Sequence, residues 1–586
     1  MGIEGSFALS EARKSPPRIL ADDSKAGGRL RPKGEAPIPI TRSIKYMPDN
    51  REEILNTLIY RINSFSDGYR QNIAIFGEPR IGKTTLVKNL FSSESLKKDS
   101  IIPVYLEIKI EPFEFCAKRF IKSILSQVVK SDPLLTASQD AVLLIEDLTR
   151  DYPKTAQICI RVLQDIERSK LDEAFSFMLD IPSALSDETK KRCVLILDEF
   201  HNLDNFMLKN PFGTIAKKIM IQKDTMYVLI SSRTTLSLRL VNEKLALLFG
   251  NFEKFFLKPL DMASGRVFLQ NSIKGVTLPQ IYLDFISSFT GSRPFYMQVI
   301  SDEIERAVFS RRIAPENHPN LIEHSFMEAL FRKNGILNQY FYNLLFKISE
   351  GKMLSKSISV LIALSSENKK QNDIAKAARL QSGEASKILN SMIELDIIAR
   401  NGAFYRFTDR LFRFWLKSVY MKRILSFSLD EHVEESVFRM DVSSRFNIFS
   451  QEFEKELSSR IAELFKLFKN DIIQLNGKKH KFTAFTNVEK LENQDRNQTV
   501  ILATSGRQKW LCTIKKENIT ENDMLDIIKN SREQKKNNRI SRNIVVAFSG
   551  VNENAYLMAK EAKFWTWSME DLNVLMDLYG KPHLSC

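Results

Sequence analysis

The chain has 586 residues, 27% charged and 43% hydrophobic, with 86 Lys and Arg against 71 Asp and Glu for a net charge of +15. At roughly 150 residues per domain this length suggests about three or four domains, and the composition excludes a mostly disordered or fibrous chain. No apolar run approaches the roughly 18 residues of a membrane span, and residues 1–21 carry no apolar secretory core.

The cysteines Cys116, Cys159, Cys193, Cys512 and Cys586 are scattered and form no CxxC pair. That argues against a disulfide framework or a zinc site and for a reducing, cytoplasmic setting. The basic excess suits an acidic partner, nucleic acid first. Solubility and a basic tail account for the same charge.

In chain order, residues 1–45 lack apolar periodicity and read as a disordered basic tail. Residues 51–66 read as an amphipathic helix. From 72 to 260, short apolar runs (72–76, 101–108, 193–197, 226–231 and 253–257) alternate with helical stretches. This pattern predicts βαβ units and a parallel sheet buried on both faces. The 112–190 segment is longer than one crossover needs and predicts extra helices. Residues 262–350 read as helical, 351–424 as a helix–turn–helix with a hairpin, and 425–455 as a helical connector. Strands and helices alternate again over 456–586.

Gly77-Glu78-Pro79-Arg80-Ile81-Gly82-Lys83-Thr84 has the spacing GxxxxGK[ST], after an apolar strand and before a helical stretch that opens with Thr85. Glycines let the backbone wrap a phosphate, and amides at the helix start point at the anion. Lys83 is expected to reach the β- and γ-phosphates of ATP, and the Thr84 hydroxyl to ligate Mg²⁺. A second apolar run, 193–197, ends in Asp198-Glu199. Asp198 is placed to hold the Mg²⁺ shell and Glu199 to polarise the attacking water. The 226–231 strand is expected between the two motif strands, with Ser232 and Arg233 at its tip to read the γ-phosphate. His201, in the loop after the acids, reads as a surface residue.

Residues 80–86, Asp198-Glu199-Phe200, Thr290-Gly291-Ser292-Arg293-Pro294-Phe295-Tyr296 and residues 405–415 (YRFTDRLFRFW) together resemble the archaeal-type ATPases of the STAND class of P-loop NTPases. The resemblance covers about residues 45–420 and is weaker beyond. It implies an ATPase core over 46–261, a helical lid over 262–350, a winged helix and a nuclease-like C-terminal domain, acting as an ATP-driven switch, with oligomerisation on ATP binding left open. By analogy Arg293 touches phosphate from the lid. The family's glycine–glycine–x–proline lid motif is Gly291-Ser292-Arg293-Pro294 here. Serine does not adopt φ > 0 freely, which predicts a reshaped turn.

Within 351–424, Ala385, Ile388, Leu389, Met392 and Ile393 recur at helical spacing, and Asn401-Gly402 between two short strands signals a hairpin. Three helices and a hairpin make a winged helix–turn–helix. Lys387 and Asn390 on its third helix, and Arg400 and Arg406 on its wing, are candidate contacts to double-stranded DNA, chiefly to its backbone. A protein-interaction role fits the same elements.

The C-terminal order resembles restriction-endonuclease-like cores, whose metal site needs an acid on the first strand and an ExK triplet on the second. The triplet here is Thr513-Ile514-Lys515, the strand at 498–502 has no carboxylate, and Glu492, Asp495 and Glu517 lie off the pattern. This predicts a nuclease-like domain without nuclease chemistry. Its basic 529–542 stretch, with Arg532, Lys535 and Lys536, is a candidate phosphate contact. The overall expectation is an α/β P-loop ATPase using ATP and Mg²⁺, triggered by DNA or by a protein. A nucleotide-gated scaffold and an ATP-gated nuclease are the rivals.

Overall fold

The computed structural model describes residues 49–128, 141–245, 252–348, 354–366, 369–425, 431–475, 477–491, 498–506, 508–537 and 540–584. The tail expected over 1–45, Glu492, Asp495 and Cys586 lie outside the described residues. Helix α1 (Asp49–Ser66) precedes strand β1 (Asn72–Gly77), and helix α2 (Lys83–Ser92) leads to β2 (Ile101–Glu107). Strands β3 (Arg192–Asp198), β4 (Thr225–Ser231) and β5 (Phe252–Leu257) complete a parallel sheet of order β2-β3-β4-β1-β5.

Every residue of β1 and β4 is buried, as is β3 after its first residue. Such strands read as unbroken apolar runs because helices cover both faces. One face packs under Leu58, Ile62, Leu86 and Leu90 of α1 and α2. The other packs under an inserted helical layer: α3 (Phe113–Leu125), α4 (Ala141–Leu148), α5 (Pro153–Glu167), α6 (Leu171–Met178) and α7 (Ile181–Thr189). These are the extra helices that the length of the segment required. As expected, β4 lies between the two motif strands, so the ends of β1, β3 and β4 share one sheet edge.

Helices α8 (Pro211–Ile221) and α9 (Thr234–Arg239) flank β4. After β5 come α10 (Met262–Ser272), α11 (Gln280–Phe289), α12 (Pro294–Phe309), α13 (His318–Phe326) and α14 (Ile336–Ile348). Next are α15 (Leu354–Ser365), α16 (Gln371–Ala377), α17 (Ser382–Glu394), and the antiparallel hairpin β6 (Ile398–Asn401) and β7 (Phe404–Phe407), followed by α18 (Arg410–Trp415). Residues from Leu260 to Phe449 form one hydrophobic cluster. The helical stretch after the sheet and the three helices with their hairpin therefore share a core.

The turn between α11 and α12 corrects the expectation of a reshaped turn. Gly291 and Ser292 both take left-handed conformations, φ 64° and 51°. Ser292 is buried; its N–H donates to the Ser287 carbonyl at 2.7 Å and its hydroxyl meets the Ser287 hydroxyl at 2.9 Å. Those bonds offset the Cβ penalty of the left-handed region.

Helix α19 (Glu431–Glu454) leads into α20 (Leu457–Leu467) and the small hairpin β8 (Ile472–Leu475) and β9 (Lys478–Lys481). A second sheet has order β10-β11-β12-β13-β14, from β10 (Asn487–Leu491), β11 (Gln498–Ser505), β12 (Gln508–Lys515), β13 (Ile540–Ala547) and β14 (Trp565–Ser568). Its first three strands are antiparallel and its last three parallel. Helices α21 (Glu521–Asn537), α22 (Glu553–Glu561) and α23 (Met569–Leu578) complete it.

Replacing Ser292 by Val should cost about 1–2 kcal/mol, because a β-branched residue keeps the left-handed strain and loses the hydroxyl bond. Ser292→Gly should stay close to the parent. Thermal unfolding of the two variants reads this; equal melting of Val and Gly variants would refute it.

Candidate active site

Gly77 closes β1, where an added Cβ would meet Ile81 and Leu257 at 3.0 Å. The loop then turns through Arg80 (φ 61°) and Gly82 (φ 109°) into α2. The α2 N-terminus has no side-chain cap and no acid in its first turn. Its amides and positive dipole end are left for an anion. Lys83 is buried, and its Nζ donates to the carbonyls of Gly77 and Glu78, each at 3.0 Å. Burial pulls its pKa down, while Glu199, Asp198 and Glu78 pull it up. Thr84, Thr85 and Pro79 are exposed, and Ile81 is buried in the core between α1, α2 and the sheet.

Asp198, at the end of β3, is buried. The Tyr105 hydroxyl donates to Oδ2 and the Glu199 N–H to Oδ1, both at 2.9 Å. Burial, then the neighbouring Glu199, pushes its pKa up. Glu199 itself is left-handed, φ 53°. That conformation turns its side chain back to the sheet edge, where Oε2 accepts from the Ser232 N–H at 2.9 Å and hydroxyl at 2.7 Å. Its Oε1 lies 3.9 Å from Lys83 Nζ. So Lys83, Asp198, Glu199 and Ser232 come together, with Ser232 on the Glu199 carboxylate.

Residues 66–211 match the AAA domain family. The core has a P-loop NTPase fold. No curated protein matches the chain. Among solved structures, the Walker-type ATPase of Pyrococcus abyssi is similar at 12% identity over 64% of this chain and 99% of that one, TM-score 0.43. The Aeropyrum pernix ORC2 protein is similar at 12% identity over 65% and 98%, TM-score 0.40. The Thermotoga maritima RuvB Holliday junction branch migration motor is similar at 12% identity over 65% and 96%, TM-score 0.30. Among the described residues no helix is long and apolar enough to cross a membrane.

In this P-loop NTPase core the expectation for His201 is corrected. It is buried, its Nδ1 lies 2.8 Å from the Ser231 hydroxyl and 3.4 Å from Glu199 Oε2. It sits in a short 3₁₀ turn, Phe200–Phe206, that folds back under β4. Its only sequence signal was its position two residues after Glu199. Tyr105, which holds Asp198, was likewise missed; it lies on β2, remote in sequence.

Arg293 is buried at the start of α12, and its guanidinium is engaged by the loop. Nε donates to Glu78 Oε2 at 2.8 Å and Nη2 to the Thr408 carbonyl at 2.9 Å. Asp409 Oδ1 lies 3.9 Å from Nη1. Burial disfavours the charge, but Asp409 and Glu78 outweigh it and hold the pKa above its ordinary value. Arg80 is exposed and stacks over Phe295 (4.1 Å) and Tyr340 (4.6 Å). Arg233 is also exposed; burial pushes the nearby Asp396 carboxyl up, against the pull of Thr235 and Arg233.

Of the candidate nucleic-acid contacts, Lys387, Asn390, Arg400, Arg532 and Lys535 are exposed. Glu384, beside Lys387, pairs with Lys356. Arg406 is a correction: its Nη1 donates to Asp577 at 3.3 Å, so it faces α23 instead of open wing surface. The Lys536 side chain lies outside the described residues.

Burial, the largest cause, pushes the His201 pKa from 6.5 down to about 4. Between those values the unfolded chain binds the proton and the folded chain does not, so the contribution is complete above pH 6.5 and declines as pH falls toward 4. Thermal melts across this window should be flatter for His201→Gln than for the parent. Parallel curves would refute the buried neutral histidine.

Proposed function

We propose that the chain is a Mg²⁺-dependent ATP-hydrolysing switch of the STAND type. The observation that carries this is the convergence of Lys83, Asp198 and the Ser232-held Glu199 at one sheet edge beside an uncapped helix start. The donors suit the group: an exposed Thr84 hydroxyl and a buried Asp198 carboxylate would hold Mg²⁺. Bound there, the ion supplies neutralisation of phosphate charge. Lys83 moves its ammonium from the Gly77 and Glu78 carbonyls to the β- and γ-phosphates. The loop amides bind the same oxygens. Glu199 takes the proton of the attacking water, with Ser232 fixing its carboxylate, and ADP and phosphate leave.

The switch reading rests on Glu78. The same loop that binds phosphate is tied through Arg293 to Thr408 and Asp409. A phosphate contact by Arg293 would require release of that bridge, and such release would free the lid from the loop. We read residues 46–261 as the ATPase core, 262–350 as the lid, 351–424 as a winged helix, 425–455 as a connector and 456–586 as a nuclease-like fold. Three helices with an antiparallel hairpin support the winged-helix reading, and the mixed strand order of the second sheet supports the nuclease-like one. Exposed Lys387, Asn390 and Arg400 suit the backbone of double-stranded DNA. A protein-binding role for the winged helix is favoured by Arg406, held on Asp577. For the nuclease-like sheet, Lys515 is buried and pairs with Asp523 at 2.5 Å, which supports a domain that has lost its chemistry.

ATP hydrolysis measured with and without double-stranded DNA tests the reading. Lys83→Ala should lose nucleotide binding. Glu199→Gln should bind nucleotide and hydrolyse it about 10²–10⁴-fold more slowly. Stimulation by DNA supports a nucleic-acid trigger, and hydrolysis indifferent to DNA supports a protein trigger. Full activity in both variants would sink the ATPase reading. In Arg293→Ala, nucleotide binding should persist while stimulation by the trigger is lost; an unchanged response would show that the bridge carries no signal.

A further inference from the structure

The tip of the β6–β7 hairpin is covered. Asn401 Nδ2 donates to the Gln474 carbonyl at 2.9 Å, and the Gln474 N–H donates back to Asn401 Oδ1 at 2.7 Å. The Ala403 N–H donates to the Ile472 carbonyl at 3.4 Å, and an added Cβ at Gly402 would meet that same oxygen at 2.0 Å. Phe404 shares a core with Ile473, Leu475 and Phe482. Lys370, bridged to β7 at Phe404, pairs with the buried Asp471 at 2.8 Å. The β8–β9 hairpin is therefore built onto the wing tip and extends it.

What it adds is positive charge. Strand β9 reads Lys478-Lys479-His480-Lys481, and residues 472–483 hold no Asp or Glu. The register sets Ile473 opposite His480, Gln474 opposite Lys479 and Ile472 opposite Lys481. Residues directly opposite share a face. Buried Ile473 and half-buried His480 mark the inner face, and exposed Ile472, Gln474, Lys479 and Lys481 the outer one. Lys479 and Lys481 thus stand on one face, about 7 Å apart by strand rise. Lys478 is exposed as well. Among the described residues no ion pair or hydrogen bond engages the ammonium group of any of the three.

A further cation reaches the same place. The guanidinium of Arg542, on β13, lies 4.2 Å over the Trp565 ring, and the His480 ring packs on that indole at 4.4 Å. Burial first, then Arg542 and Lys478, pull the His480 pKa down against the Leu475 backbone and Asp571, which sets both cations beside that ring. Asp571 is already engaged at the cap of α23, accepting from the Ser568 N–H and hydroxyl at 3.0 Å each. Burial lowers the Arg542 pKa, and no carboxylate offsets it. A basic cluster that serves solubility is interspersed with acids; this one is not. Like charges gathered without counter-charge repel, and a polyanion removes that penalty while releasing its own counterions.

We propose that the β8–β9 hairpin, together with Arg542, contacts the phosphate backbone of double-stranded DNA alongside the wing tip that it covers. Lysine ammonium groups are point charges on flexible stems, so they hold the backbone without reading sequence. The inference rests on the reading that the winged helix meets DNA, and it moves the wing-side contact from the β6–β7 tip to β9.

The test is fluorescence anisotropy of the full chain with short labelled duplexes of two unrelated sequences, over a series of salt concentrations. The parent should bind both. Lys479→Gln with Lys481→Gln should weaken the two complexes equally and make the slope of log affinity against log salt shallower by about 2. Lys479→Glu with Lys481→Glu should weaken both about tenfold or more. Both side chains are exposed, so unfolding profiles of these variants should match the parent. Lys387→Glu, on α17, is the reference for a contact through the third helix. Weakening by Lys387→Glu with none from the hairpin variants overturns the hairpin proposal and leaves the DNA reading standing. A parent that binds neither duplex overturns both. Weakening confined to one sequence, or tighter binding of the single strand than of the duplex, also overturns the proposal.

Discussion

A guanidinium cannot shed its proton, so a buried one must be surrounded by acceptors. Arg293 is 7% exposed, and its partners come from three separate places: acceptors on the phosphate loop (Glu78) and at the end of the hairpin (Thr408), and the counter-charge at the cap of α18 (Asp409). Removing one acceptor from such a set leaves charge uncompensated at a cost of about 3–5 kcal/mol. The arrangement therefore fixes loop, lid and hairpin against one another. Asp409 is itself pinned, accepting from the N–H groups of Leu411 and Phe412 and from the Tyr296 hydroxyl. The left-handed Gly291-Ser292 turn delivers Arg293 to this junction.

The same junction governs the chemistry beside it. Glu78 both supplies a carbonyl to Lys83 and a carboxylate to Arg293, so the cation of the phosphate site and the cation of the lid meet on one residue. On the far side, Glu199 is held by Ser232, just beyond the end of β4, with His201 close by. Phosphate entering the loop competes for Lys83 and for the loop amides. Any shift of Glu78 that follows is felt first at Arg293. Coupling of this kind needs only two alternative sets of acceptors for one buried charge, not a long relay.

The parallel strands were legible because burial on both faces leaves an unbroken apolar run, and the loop because glycine and lysine spacing is local. The hairpin announced itself through Asn401-Gly402, where Gly402 has φ 59°. The strands β8, β9 and β10 escaped notice: Lys478–Lys481 and Asn487–Leu491 are short, polar and largely exposed, with no periodicity to mark them. Arg293 with Glu78, Arg406 with Asp577 and His201 with Ser231 are pairings across tens to hundreds of residues, and no local pattern encodes them. Ser292 misled for a related reason. Its intrinsic preference opposes the turn, and the compensating bond to Ser287 exists only once α11 is formed.

The phosphate loop and the C-terminal sheet are joined through neighbouring residues of one short helix. Arg410, which reaches Asp577, directly follows Asp409, which faces Arg293. Both belong to the start of α18, one as its cap and one as its first residue. Arg410 anchors on Asp577 of α23 the same short helix that presents Asp409. Because Arg293 stays charged, any loss at Asp409 must be made good at Glu78 or Thr408. The helix held on Asp577 therefore shares in fixing the buried arginine that ties the lid to the phosphate loop.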